Sequence, residues 1–410
     1  MPKIFAKIIF TFTVLFSQNI DGDWDQGSYD TQLLSFQVNT FSSGYDIPWG
    51  MAFLPSGELL VTDISGSLWR VSKNGHEKRQ IGNSLVVYYK GQGGLLDVQV
   101  HPDFERNHLI YLCYSDIQRK NLSHTTVARA VLNDHLLEDF QIIYKAPEQL
   151  FTKISRHFGS RIVFDDAGYL YFSIGDRGVR DQAQDITLPN GKIHRIHDDG
   201  SIPEDNPFYH QKSAARTIWT YGNRNPQGLA IHPITRNIWE AEHGPRGGDE
   251  LNIIYKGHNY GWPVITYGIN YIGTKITDFT HKEGMDQPVW HWTPSIAVCG
   301  IQFYSGDAFQ PWQNNLLAAS LKFERLYRVV IENGKKVDEE IIFDVFDCRR
   351  NAQINLMHLA TIGTTLLLPH DDKFFTLALG FHHVLGQVHE GLVEPRLRME
   401  AGLIGLDHRK

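Results

Sequence analysis

The sequence predicts an all-β fold, a six-bladed β-propeller occupying about residues 30–380 of the 410-residue chain as one domain. Three observations predict it. A phrase of apolar strand, Pro/Asp/Gly turn and apolar strand returns five times, at spacings of roughly 45 to 75 residues, the range for propeller blades that carry insertions. The 36 Gly and 17 Pro are scattered rather than gathered into a linker, as many tight turns require. The 42% hydrophobic and 12% aromatic content supplies enough apolar mass for a large core.

In chain order, residues 1–19 read as a signal peptide. Lys3 and Lys7 precede an apolar run from Ile8 to Phe16 that is too short to span a bilayer, so a periplasmic or secreted protein is expected. The competing reading of that run is a buried first strand. Cys113, Cys299 and Cys348 are far apart and odd in number, which supports neither a disulfide framework nor a zinc ribbon. The formal net charge of -7 argues against nucleic acid as a partner and leaves room for a neutral substrate or an anion held by placed arginines.

The first copy of the phrase begins at Pro48, in PWGMAFLPSGELLVTDISGSLWRVSKNG. Gly94, Gly159, Gln227 and Gly300 open the next four. A sixth copy is needed to fill the chain from about residue 345, where NAQINLMHLATIGTTLLLPHDDKFFTL reads as two strands with poor turn chemistry. Residues 381–410 carry no blade phrase and form a C-terminal tail, read as an extra helix, a ring-closing strand or a poorly ordered end.

The densest polar chemistry lies in Trp219–Pro263, where turns and charges crowd between alternating strands, and loops on a sheet scaffold are where sites are built. Blade loops at one end of a propeller surround the central channel, so polar residues at equivalent places in successive copies are the candidates. Gln92 sits in KGQGGLLDV ahead of the second copy, between glycines that let a backbone or cofactor come close. His157, flanked by Arg156 and Arg161, precedes the third, as a general base or a structural histidine; the arginines favour its neutral form. Arg224 and Asn225 hold the same place before the fourth and suit an anion or quinone. In EHGPRGGDE, the carbonyls of Gly244 and Pro245 and the carboxylates of Asp249 and Glu250 are hard oxygen donors of the kind Ca²⁺ takes, or else a solvated acidic loop. Lys322, Arg349 and Arg350 add cations from later copies, and cations from several blades meeting in one channel call for a polyanionic partner.

HFGSRIVF, IGDRG, GNRNPQGLAIHP, EHGPRGGDELNII, NYGWPVITYG and the LK of the fifth copy, in that order between about Pro48 and Arg328, closely resemble the soluble pyrroloquinoline-quinone-dependent glucose and aldose sugar dehydrogenases. The resemblance implies oxidation of an aldose at C1 to a lactone, with the quinone as hydride acceptor, Ca²⁺ as Lewis acid and an external electron acceptor downstream. It implies that His157 is the base for the C1 hydroxyl. Gln92, Arg224, Asn225, Lys322 and Arg349 would contact the quinone, with Arg224 stabilising charge on its reduced oxygen. The Gly244 and Pro245 carbonyls would hold one Ca²⁺, and Glu250 with the Tyr260 carbonyl a second. The chain departs from the pattern at Arg156, where glucose-specific members carry an Asp, and at Arg349-Arg350-Asn351, where the family has Arg-x-Arg. Two other classes compete: a non-catalytic propeller binding module that has lost the quinone, and a calcium-dependent lactonase, which the cationic channel disfavours.

Overall fold

The structure, a computed structural model, describes residues 11–17, 28–344, 360–367 and 375–381. It is an all-β propeller. Five four-stranded antiparallel sheets follow one another along the chain, each beginning on an inner strand and meandering outward. The first comprises Pro48–Phe53, Leu59–Asp63, Leu68–Val71 and Lys78–Gln80, and the second Leu95–Val100, Leu109–Gln118, Leu122–Asn133 and Leu136–Lys145. The third comprises Ile162–Phe164, Leu170–Ile174, Lys192–Ile196 and Ile218–Tyr221. Pro226–Ile231, Ile238–Glu242, Asp249–Ile253 and Trp290–Trp292 form the fourth, and Val298–Phe303, Leu316–Ser320, Arg325–Glu332 and Lys335–Asp344 the fifth. The inner strands start within a few residues of Pro48, Gly94, Gly159, Gln227 and Gly300, as the repeating phrase predicts. Each turn is closed by its own chemistry: Gly57, at φ +87°, donates to the Leu54 carbonyl at 2.8 Å.

A further sheet is made differently, in the order Ser28–Asp30, Ser35–Tyr45, Thr11–Ser17, Phe375–Phe381, Ala360–Leu367. Its Ala360–Leu367 strand lies between the inner strands of the fifth and first sheets. The two strands expected in residues 351–377 are present in it. Most of the expected leader and the whole of the tail from 382 onward lie outside the described residues, while Thr11–Ser17 runs parallel to both of its neighbours in this sheet.

Alternation along each strand sends apolar side chains into the spaces between blades, where successive sheets bury them face to face. Leu60 and Leu68 meet Val98 and Leu112 between the first and second blades. Tyr111 and Val127 meet Phe172 and Ile174 between the second and third. Trp239 and Leu251 meet Phe303, Leu316 and Tyr327 between the fourth and fifth. Each such side chain contributes about 1.5–3 kcal/mol when fully buried.

Around the axis the inner strands come close enough to dictate residue type. A Cβ on Gly228 would lie 2.4 Å from the Cys299 carbonyl, and one on Gly50 2.6 Å from Asp97 Oδ1. Deeper in the channel Arg161 is clamped by Asp97 Oδ1 at 3.1 Å and the Gln227 carbonyl at 3.0 Å, beneath the Trp49 ring at 4.3 Å. Asp97 Oδ2 also accepts from the Ile162 amide at 2.8 Å, so this buried ion pair is tied to two blades.

Candidate functional site

Antiparallel meandering fixes where the polar loops go. The end at which an inner strand begins is the end at which its second strand finishes. Gln92, His157 and Arg224 precede inner strands, whereas Asp176, His243, Gly244 and Lys322 follow second strands, so all lie at one mouth of the channel.

There, His157 Nδ1 lies 2.6 Å from Asp176 Oδ1, and the His157 backbone N–H donates to Gln92 Oε1 at 2.7 Å. His157 adopts a left-handed backbone, φ +56°, which aims the ring back at Asp176. Asp176 is wholly enclosed. Its Oδ1 also accepts from the Gly178 amide at 2.7 Å and its Oδ2 from Trp262 Nε1 at 2.9 Å, while its amide donates to the Arg224 carbonyl at 2.7 Å. Burial would raise the Asp176 carboxyl, but His157, Arg224 and the Gly178 amide outweigh it and hold the group at about 2. Burial pushes the His157 pKa below its ordinary value, with Asp176 pulling the other way and Arg224 and Arg156 adding to the fall. A neutral imidazole whose Nδ1–H is given to a carboxylate carries its lone pair on Nε2, as a base requires.

Arg177 props this loop from behind. Its guanidinium lies 3.5 Å from the Phe158 ring centroid and donates to the carbonyls of Arg156 and Ile154. Arg224 Nη1 donates to the carbonyls of His243 and Gly244, each at 2.8 Å, and its amide donates to Glu242 Oε2. Asn225 Oδ1 accepts from the Gly159 amide at 3.2 Å. Gln92, His157, Arg224, Asn225 and Gly244 therefore form one bonded network. Pro245 packs beside Gly268, where a Cβ would lie 2.7 Å from the proline ring. Lys322 is exposed at the same end and donates to the Ser295 carbonyl at 3.2 Å, so it shares the rim without touching the His157 network. Arg349 lies outside the described residues.

Two expected donors are placed differently from a loop. Asp249 and Glu250 are on a strand and buried. Asp249 accepts from the amides of Gly244 at 2.8 Å and Val298 at 3.1 Å, so it shapes the Gly244–Gly248 turn. Glu250 faces Glu242 across the ladder, next to the Glu240–Asn252 pair. Burial raises all three glutamates, Glu250 to about 8. Tyr260, on the following loop, is fixed by its amide to the Tyr221 carbonyl and its hydroxyl to the Ile253 carbonyl. Among the described residues no three His, Cys, Asp or Glu side chains converge as a metal site.

The residues present suit the groups the resemblance implies. Asn225 Nδ2 and His243 Nε2 are buried at the mouth without a partner, and the Arg224 guanidinium lies 5.3 Å from the Trp262 ring centroid. Spare donors and a cation on an aromatic platform match a flat, oxygen-rich anion. The Gly244 and Pro245 carbonyls and the unbonded Oε1 of Glu240 are hard oxygen donors, which match Ca²⁺.

Asp176 and Trp262 were the partners that reading for single residues missed. Both carried a signal, since Asp176 follows directly on an apolar strand in IGDRG and Trp262 sits in a Gly-Trp-Pro corner.

Residues 45–352 match the family model described as Glucose / Sorbosone dehydrogenase. The chain is 41% identical over 310 residues to the aldose sugar dehydrogenase YliI of Escherichia coli, covering 74% of this chain and 82% of that one. It is 29% identical over 257 residues to quinoprotein glucose dehydrogenase B of Acinetobacter calcoaceticus, covering 56% and 53% respectively. Among solved structures it is similar to the apo-form of the soluble aldose sugar dehydrogenase from Escherichia coli, with a TM-score of 0.73 at 35% identity over 82% of this chain and 94% of that one. It is also similar to the PQQ-bound form of aldose sugar dehydrogenase from Streptomyces coelicolor, with a TM-score of 0.60 at 27% identity over 75% and 84%.

Proposed function

The chain belongs to the glucose/sorbosone dehydrogenase family, and we propose that it oxidises aldose sugars at C1 to lactones, with pyrroloquinoline quinone and Ca²⁺ bound at the mouth that holds His157. The observation that carries this reading is the Asp176–His157 pair, which leaves a neutral Nε2 at the open end of a channel rimmed by cations.

His157 takes the C1 hydroxyl proton on Nε2 as the C1–H bond breaks and the C1 carbonyl forms. Asp176 holds the ring and stabilises the imidazolium. Arg224, Asn225 and Gln92 fix the acceptor and the base relative to one another, Lys322 adds charge from the rim, and Arg349 is assigned the same role. Bound here, the quinone would supply the hydride acceptor and Ca²⁺, on the Gly244 and Pro245 carbonyls, the Lewis acid. Glu250, with the Tyr260 carbonyl, is assigned a second Ca²⁺, whose charge would oppose the burial that raises the Glu250 carboxyl. An external carrier then collects the electrons.

The Ala360–Leu367 sheet is assigned as the sixth blade, closing the ring with strands from both ends of the chain. Export to the periplasm or beyond follows from Lys3, Lys7 and the apolar run. Leader and strand compete for residues 11–17, and sequencing the N-terminus of exported protein decides between them.

The test is reconstitution with pyrroloquinoline quinone and Ca²⁺, followed by dye reduction with several aldoses. Turnover should need both additions and should fall about 10²–10⁴-fold in His157→Ala. A folded protein that binds no quinone would overturn the reading in favour of a binding module.

A further inference from the structure

The rim carries more positive charge than the base, its carboxylate and the cofactor contacts use. Arg156 is exposed directly beside His157, and its side chain lies against Gly178, where an added Cβ would come within 2.8 Å of Nε. Gly178 is the residue whose amide binds Asp176, so the Arg156 side chain lies against a direct partner of the Asp176–His157 pair. Arg180 is also exposed. It stacks over Trp262, the other partner of Asp176, and donates to Asn270 Oδ1 at 2.6 Å. Among the described residues neither arginine has a carboxylate within ion-pair distance, although Asp181 is the next residue and the chain as a whole is acidic. Arg224 is different in kind: it is buried and spent on two carbonyls.

An arginine held by an indole face and a neutral amide keeps its remaining N–H groups free in a fixed fork, the geometry that takes a carboxylate or phosphate. Arg180 is held in this way and Arg156 lies against Gly178, so two exposed guanidinium groups next to the partners of Asp176 define where an anion on the substrate would rest. A neutral sugar would leave both unanswered.

We propose that the preferred substrate is an aldose bearing an anionic group away from C1, a carboxylate or a phosphate ester, held by Arg156 and Arg180 while C1 faces His157. This deepens the dehydrogenase reading and rests on it.

The test compares D-glucuronate and glucose 6-phosphate with neutral D-glucuronamide and glucose, on the quinone- and Ca²⁺-loaded protein. For two exposed charge contacts the wild type should favour an anionic sugar over its neutral counterpart by about tenfold in kcat/KM. That ratio should collapse in Arg156→Gln, return in Arg156→Lys, and shrink at about 1 M salt, where the screening length is roughly 3 Å. Preference for glucuronate or for glucose 6-phosphate would each support the proposal and identify the anion. Equal kcat/KM for charged and neutral sugars would overturn it while leaving the dehydrogenase reading intact. Turnover of no aldose would sink the dehydrogenase reading itself. Calorimetric binding of D-glucuronate to wild type and Arg156→Gln then decides the inference, with equal binding counting against it.

Discussion

His157 Nδ1 and Asp176 Oδ1 stand 2.6 Å apart, 19 residues separated in sequence, on two loops that a single blade brings together. The pair fixes which imidazole nitrogen holds the proton. Asp176→Asn removes the charge and the demand for that tautomer, and kcat should fall about 10²–10⁴-fold. Because Asp176 raises the His157 pKa against burial, its loss lets that pKa fall further. The base works when neutral, so the acidic limb of the remaining activity should move to lower pH. A pH–rate profile checks this, and a limb moving to higher pH would refute it.

Trp262→Phe keeps an aromatic ring near Arg180 and Arg224 but deletes the donor to Asp176 Oδ2. A buried carboxylate oxygen left unpaired costs on the order of 1–3 kcal/mol. Asp176 should then hold His157 less firmly, and kcat should fall roughly 10-fold or more, as an on-rim positioning contact implies. Unchanged kcat would show that the indole N–H has no part in positioning.

Asp97→Asn leaves Arg161 charged and buried in the channel without its carboxylate partner. Breaking a buried pair from one side lowers stability by about 3–5 kcal/mol. Denaturant titration should show that loss, and replacing both residues with apolar ones should recover much of it.

His124 and His194 are buried, and burial lowers them to about 4 and about 3 from the ordinary 6.5. The unfolded chain takes up protons near 6.5 while the folded one refuses them until far lower. Their stabilisation is therefore full above about pH 6.5 and is lost as pH falls toward 4 and 3, at about 1.4 kcal/mol per unit for each group. Thermal unfolding across pH 7 to 4 should show the decline, and His194→Gln should make it shallower.

The five inner strands were legible because each pairs an apolar alternating run with a Gly, Asp or Pro turn, a purely local signal. Gln92, His157, Arg224 and Asn225 were legible for a related reason: a repeating phrase puts equivalent positions at one end. The contact between Trp262 and Asp176 spans 86 residues and depends on how the long loop after Asp249–Ile253 folds back, which no local pattern encodes. The acidic run at Asp249–Glu250 looked like a solvated loop or a metal loop because charge at a strand end reads as exposed. Burial of Glu240, Glu242 and Glu250 on one face follows from cross-strand register instead.

The hairpin Ser28–Asp30 and Ser35–Tyr45 has its destination on the fifth blade. Tyr29 lies 5.2 Å from Phe343, Phe36 lies 5.7 Å from Trp312, and the Gln32 amide meets Glu340 across 308 residues of sequence. A ribosome releases these aromatic residues early and their partners late. For most of synthesis the Tyr29–Phe36 end of the hairpin therefore lacks its partners, although Tyr45 can already pack on the first blade, and final assembly waits on the far end of the chain. A truncation before residue 340 should leave the Tyr29–Phe36 end open to proteolysis even where the intervening blades have formed.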